Sequence, residues 1–212
     1  MNINKPSNDF NEVVKGRRSV KVYDPKVKIS REEMEEIIME ATLAPSSVNM
    51  QPWRFLIIDS PEAKAKLAPL ARFNQEQVET SAAVIAIFGD LKADENVDHI
   101  YEQMVAHGYM PQDVKDMQLG KIKAYYDNMP HQVNLETALI DAGLVTMQLM
   151  LVARAHGYET NPIGGYEKDQ IADVFGIDKE RHAPVMLLSI GKGTKEGYPS
   201  YRLPFEKIAQ FR

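Results

Sequence analysis

Hydrophobic positions along the chain repeat with two different periods, and the change of period divides it into helices and strands. "SREEMEEIIMEATL" opens with Ser30, followed three residues later by Glu33, and then places apolar residues about one helical turn apart. A hydroxyl and a carboxylate at that spacing cap each other's backbone N–H groups. The pattern predicts a helix over Arg31 to Leu43, stopped ahead of Pro45. "RFLIID" (Arg54 to Asp59), "AAVIAIFGD" (Ala82 to Asp90) and "APVMLLSIGKG" (Ala183 to Gly193) are short apolar runs with β-branched residues and read as buried strands. Helical spacing returns in Pro61 to Leu70, Gln75 to Thr80 and Glu167 to Phe175, and a short helix ends at Gly16.

Two segments break this pattern. From Leu135 to Ala155 polar residues are few and scattered, so no wide solvated face can be drawn. A helix apolar nearly all round is buried all round. Such a helix sits at the centre of a domain this small, with strands on one side and a second subunit on the other; a monomer's core helix is the alternative. Asp94 to His131 is polar and contains Met and Tyr, with "DVKDMQLGKIKAYYDNM" at helical spacing. It reads as a helical excursion over a site, or as a solvated helical pair. Strands and helices that mix without strict alternation predict one α+β domain over residues 1–212.

Composition narrows the function classes. A net charge of -5 with both signs interleaved leaves no basic stripe for a nucleic-acid backbone. The absence of cysteine removes disulfides and thiolate chemistry. "MNINKPSNDFNEVVKGRRS" lacks the apolar core of a signal peptide, and no run approaches the roughly 18–20 apolar residues that span a membrane, so a cytoplasmic protein is expected. "GKGT" at Gly191 to Thr194 lacks the upstream glycine and the following helix of a phosphate loop. There is no G-x-G-x-x-G and no G-x-S-x-G, and the five histidines never fall at metal-binding helical spacings.

Four stretches carry chemistry. "GRRSVKVY" sets Arg17, Arg18, Ser19 and Lys21 just past a helix end. Guanidinium forks and a hydroxyl suit a phosphate, and in extended chain Ser19 and Lys21 share a face. Alone, the stretch is as readily a solvated basic turn. "APSSVNMQPWRF" crowds small hydrogen-bonding residues and the only tryptophan, Trp53, into a helix-to-strand junction, where binding residues concentrate. "NPIGGY" (Asn161 to Tyr166) joins a strand-like segment to a helix, and its paired glycines let backbone approach a flat ligand or simply make a turn. "YRLPF" supplies Arg202 near the C-terminal end.

With "FNQEQ" before the second strand, these stretches in this order resemble the FMN-dependent nitroreductase family over nearly the whole chain. The resemblance implies a central mixed or antiparallel sheet flanked by helices, and an intertwined homodimer with FMN at the subunit interface. It implies that Arg17, Ser19 and Arg202 hold the FMN phosphate with Arg18 beside them, and that Lys21 lies near N1 and O2 of the flavin. Asn74 would bond the pyrimidine side of the ring. Ile163, Gly164 and Gly165 would line the ring with a backbone N–H near N5. Pro45, Ser46, Ser47 and Asn49 would reach the partner's FMN, with Trp53 packed behind them. Related enzymes often carry a lysine where this chain has Gln77, and some carry another where it has Ser200, which predicts a lower flavin reduction potential here than in members with both.

The implied activity is NAD(P)H oxidation by a ping-pong cycle. Hydride passes from NADH or NADPH to flavin N5, and a nitroaromatic, quinone or similar small-molecule acceptor then takes the electrons. No side-chain acid, base or metal is required, since the cofactor carries the chemistry. Met110, Tyr125 and Tyr126 in the excursion are candidate substrate contacts. The alternatives are another reaction of the superfamily, dehalogenation or enoate reduction, and a non-enzymatic FMN-binding module.

Overall fold

The computed structural model describes residues 4–212. Helix α1 (Phe10–Gly16) and α2 (Arg31–Ala41) lead to strand β1 (Trp53–Ile58); α3 (Pro61–Leu67) and α4 (Gln75–Thr80) follow, then β2 (Ala83–Asp90). Next come α5 (Val97–Ala106), α6 (Gln112–Asp127) and the long α7 (His131–Ala155). The chain finishes with β3 (Glu159–Ile163), α8 (Lys168–Phe175), β4 (His182–Gly191) and α9 (Phe205–Ile208). The strands form one antiparallel sheet in the order β1-β2-β4-β3, to which Ser19 adds a single parallel bridge with Thr160.

Side-chain character decides the layers. Every residue of β2 is buried, as an apolar run without alternation requires when both sheet faces are covered. On one face Ile85 and Ile87 pack with Ile37 of α2, Trp53, and Val145 and Leu149 of α7. On the other, Val84, Ala86 and Phe88 meet Leu67, Val78 and Ile171 from α3, α4 and α8. Helices α5 and α6 enclose a small core of their own around Val97, Tyr101 and Ile122, closed by Met50. Asp90, at the end of β2, ties this end of the sheet together through Arg54 at 2.6 Å and Arg181 at 2.8 Å.

The α+β class and the sheet agree with expectation, and the differences have local causes. The helix expected over residues 61–70 ends at Leu67 and continues as a 3-10 turn over Ala68–Asn74, because Pro69 has no N–H to donate. Helix α7 starts at His131, immediately after Pro130, which positions a first turn without offering a donor of its own. Strand β3 contains Pro162, tolerated because β3 lies at the sheet edge.

One expectation for α7 needs correction. By length and composition this helix is apolar enough to cross a membrane, contrary to the sequence reading. Its packing makes it the core helix of the sheet, with Asp141 and Arg154 buried along it and Arg154 ion-paired to Glu159 of β3. On the side where a second subunit was expected the helix is open in the single chain: Ile140 is 65% exposed, and Leu139, Leu144 and Met147 lie open beside it.

Candidate functional site

The arginine-rich segment is held against the edge of the sheet. After α1 ends at Gly16 the chain runs extended, with Ser19 and Lys21 exposed and Val20 and Tyr23 buried. Ser19 and Lys21 therefore share a solvent face, as their spacing requires. Val20 donates its N–H to the Thr160 carbonyl at 3.1 Å, laying the segment along β3. Tyr23 locks it from below: its hydroxyl donates to Val20 O at 2.7 Å and lies 2.8 Å from Ser189 Oγ.

Charge accumulates here. Burial pushes the Arg17 guanidinium below its usual range, and the positive charges of Arg18 and Arg202 push it the same way. Arg18 is braced by bonds to the carbonyls of Lys15 at 2.7 Å and Arg17 at 2.9 Å, and Arg202 donates to Ser200 Oγ at 2.7 Å. The structure thus brings Arg18 and, from the other end of the chain, Arg202 into electrostatic reach of Arg17. An added Cβ on Gly197 would sit 2.5 Å from Arg18 Cβ and 2.9 Å from Ser19 O, so only glycine lets the C-terminal segment pass this close.

A second group forms at the other end of β3. Thr160 to Ile163 covers about 10 Å of strand, and the glycine pair follows directly. Ile163 is 2% exposed and packs its side chain into the core. A Cβ on Gly164 would meet nothing within 4 Å, and one on Gly165 only the Asn74 amide at 3.9 Å. Asn74 donates Nδ2–H to the Gly165 carbonyl at 3.2 Å and accepts from Gln77 Nε2 at 3.0 Å. Asn74 stands at the N-cap position of α4, yet its side chain makes no capping bond, a contact worth about 1 kcal/mol. The two segments are clamped by the Arg72–Glu167 ion pair at 2.9 Å and by Glu167 N–H to Leu70 O at 2.9 Å.

The serine-rich junction lies elsewhere. Among the described residues, the polar contacts of residues 45–49 stay within the loop or run to α5 and α7. Ser46 Oγ accepts from Gln51 N–H at 3.0 Å, Ser47 N–H donates to Asp141, and the Asn49 amide approaches Met104 Sδ at 3.8 Å. Val48, Asn49 and Gln51 all adopt left-handed backbone, with φ of 44°, 59° and 50°. For the β-branched Val48 that is a strained conformation, and such strain concentrates where geometry matters. Pro45, Ser46, Ser47 and Asn49 therefore do not join the arginine or glycine groups of their own chain. Trp53 packs in the core behind the loop.

Of the three candidates in the excursion, Met110 and Tyr126 pack into its own core and Tyr125, 55% exposed, stands open. Burial and the charges of Asp141 and Asp94 push the Tyr126 phenol up to about 12. Sequence reasoning missed Asp141, whose only signal was a carboxylate isolated in an apolar helix. It also missed Gly197.

A group of guanidiniums, about 10 Å of strand and an open glycine pair thus line one edge of an α+β sheet, an arrangement whose chemistry suits an elongated anion with a flat head. Comparison with known proteins shows the family. Residues 14–192 match the Nitroreductase family, and the chain belongs to that family. It is 64% identical over 206 residues to YdgI of Bacillus subtilis strain 168, named as an NAD(P)H nitroreductase, covering 97% of this chain and 99% of that one. The crystal structure of an FMN complex of a nitroreductase-named protein from Exiguobacterium sibiricum 255-15 superposes with a TM-score of 0.96 at 63% identity, covering 98% of this chain and 99% of that one. The CLA biosynthesis enone reductase of Lactiplantibacillus plantarum is 37% identical over 194 residues, covering 91% of this chain and 89% of that one.

Proposed function

We propose that this chain is an FMN-dependent NAD(P)H oxidoreductase of the cytoplasm that reduces nitroaromatics, quinones or similar small acceptors in two half-reactions at one site. The observation that carries the reading is the arrangement along β3, with three guanidiniums at one end and Asn74 with an open glycine pair at the other. The residues present suit FMN. Repulsion of Arg17 by Arg18 and Arg202 is relieved by a phosphate, and the open space over Gly164 and Gly165 admits a flat ring against backbone.

FMN, when bound, supplies the redox chemistry by taking hydride at N5 and passing electrons to the second substrate. The protein's part is position and charge. Arg17, Ser19 and Arg202 bind the phosphate, with Arg18 braced beside them. Lys21, on the Ser19 face, supplies a fixed cation for the pyrimidine side of the ring, where reduction leaves negative charge. Asn74 orients that side, and the backbone of Ile163, Gly164 and Gly165 supports the ring. Tyr125 is the candidate substrate contact of the excursion.

The active unit we infer is a homodimer. Leu43, Met39, Ile140, Leu144 and Met147 are exposed on α2, its C-terminal turn and α7, and Tyr201, Phe205 and Phe211 on the C-terminal arm. So much open apolar surface marks a protein interface. In that arrangement Pro45, Ser46, Ser47 and Asn49 serve the partner's FMN.

The test is an absorbance spectrum of the purified protein, then anaerobic NADH and NADPH. A flavin spectrum that bleaches, and recovers on adding a nitroaromatic or quinone, is expected. Protein that stays colourless with added FMN overturns the reading, and bound flavin that neither nucleotide bleaches makes it a binding module. A second reading, enone reduction, is supported by the relative from Lactiplantibacillus plantarum. It requires faster reoxidation of the reduced protein by an α,β-unsaturated ketone than by nitroaromatics or quinones.

A further inference from the structure

We propose that Gln77 is a positioning residue for the cofactor, acting through Asn74; the inference rests on the FMN reading above. Gln77 occupies the third position of α4, 3% exposed, directly behind Asn74 at the N-cap. Asn and Gln at this spacing ordinarily cap the helix, each side chain bonding the other's backbone N–H. Here neither does. The Gln77 amide donates instead to Asn74 Oδ1 at 3.0 Å, and Asn74 spends a proton across the cleft on Gly165 O at 3.2 Å. A side chain that gives up its local bond and is held away from it by a buried neighbour is being aimed.

The direction of the chain is fixed from its far end. The Gly165 carbonyl can only accept, so Asn74 must present Nδ2 to it and Oδ1 to Gln77, and Gln77 must answer with Nε2. Each Asn74 atom then keeps one unspent function, a second N–H and a second lone pair. A donor and an acceptor side by side complement the adjacent C=O and N–H of the flavin's pyrimidine edge. Glutamine does this and a charged residue does not: glutamate would draw Nδ2 to itself and set Oδ1 against Gly165 O. Gln77 therefore holds the Asn74 amide in the orientation that the Gly165 carbonyl sets, without touching the ring.

The experiment is a double-mutant cycle on the purified flavoprotein, reading the Kd for FMN from release of flavin fluorescence on dilution. Thermal melting serves as the folding control. Gln77→Met keeps the volume and removes the bond, and should raise Kd about tenfold, with a shift in the bound-flavin absorption bands. Gln77→Glu should weaken binding further. Asn74→Ala should also weaken it, and adding Gln77→Met to Asn74→Ala should change nothing more, since the residue acts only through that side chain. An unchanged Kd in Gln77→Met, or an equal loss in the Asn74→Ala background, overturns the proposal. If Gln77→Glu does not fold, the methionine cycle still decides. Wild-type protein that takes up no FMN is a different failure, since it removes the flavoprotein reading itself.

Discussion

The backbone N–H of Ser47 is held by the carboxylate of Asp141, at 3.0 Å from one oxygen and 3.2 Å from the other, across 94 residues of sequence. Asp141 is 4% exposed on α7, the helix whose outer face is open and apolar. One carboxylate thus fixes a loop with three left-handed residues to the helix that would meet a second subunit.

That contact predicts a graded series. Asp141→Ala should cost about 1–3 kcal/mol, because a buried N–H loses its acceptor, while Asp141→Asn keeps an acceptor and should cost less. Denaturant unfolding of both variants checks this, with hydrogen exchange at residues 47–51 reading the loop directly. The pH dependence has a definite sign. Burial pushes the Asp141 carboxyl up, only partly offset by the Ser47 N–H. A raised folded value means this group favours folding most below the ordinary carboxylate range, and loses that contribution as pH rises through its folded pKa. Relative to Asp141→Asn, the wild type should therefore lose stability as pH climbs out of the acid range.

Asp90 should behave oppositely. Burial pushes its carboxyl up, but the Arg181 bond, the Lys92 N–H and the charges of Arg54 and Arg181 outweigh it and hold it below its usual range. Its contribution is present above the ordinary carboxylate pKa and disappears as pH falls through the depressed folded value. Asp90→Ala should cost about 3 kcal/mol at neutral pH, since two partly exposed arginines lose a buried partner. The deficit should shrink in strong acid, measured by unfolding at a series of pH values.

The arginine cluster should discriminate phosphate from ring. Arg17→Ala is expected to weaken FMN binding roughly 10–100-fold, the worth of a charge-assisted hydrogen bond. Riboflavin, which lacks the phosphate, should bind both proteins alike. Parallel titrations decide; an equal loss for riboflavin would move Arg17 away from the phosphate.

Gly197→Ala inserts a methyl where Arg18 Cβ and the Ser19 carbonyl already stand. Forcing these segments apart should cost about 1–3 kcal/mol. Because the displaced groups belong to the arginine cluster, FMN affinity should fall along with the melting temperature.

Much of this molecule is local and so was legible in its residues. Ser30 caps α2 by accepting from Glu33 N–H, β2 is the unbroken apolar run it looked like, and Ser19 and Lys21 fall on one face. Caps, periods and strand alternation depend on neighbours within a turn or two, which a sequence states directly. The motifs in their order also carried the family and the candidate site residues. Only the tertiary structure decided which distant groups meet. Arg202 reaches Arg17 because the C-terminal segment returns past Gly197, and Asp141 finds Ser47 because α7 crosses behind the loop. Gln77 turns from capping a helix to aiming Asn74 because Gly165 stands opposite with a carbonyl to satisfy. Such pairings follow from the path of the backbone around the sheet and from the need to satisfy each buried polar group, and neither is written in any one stretch of chain.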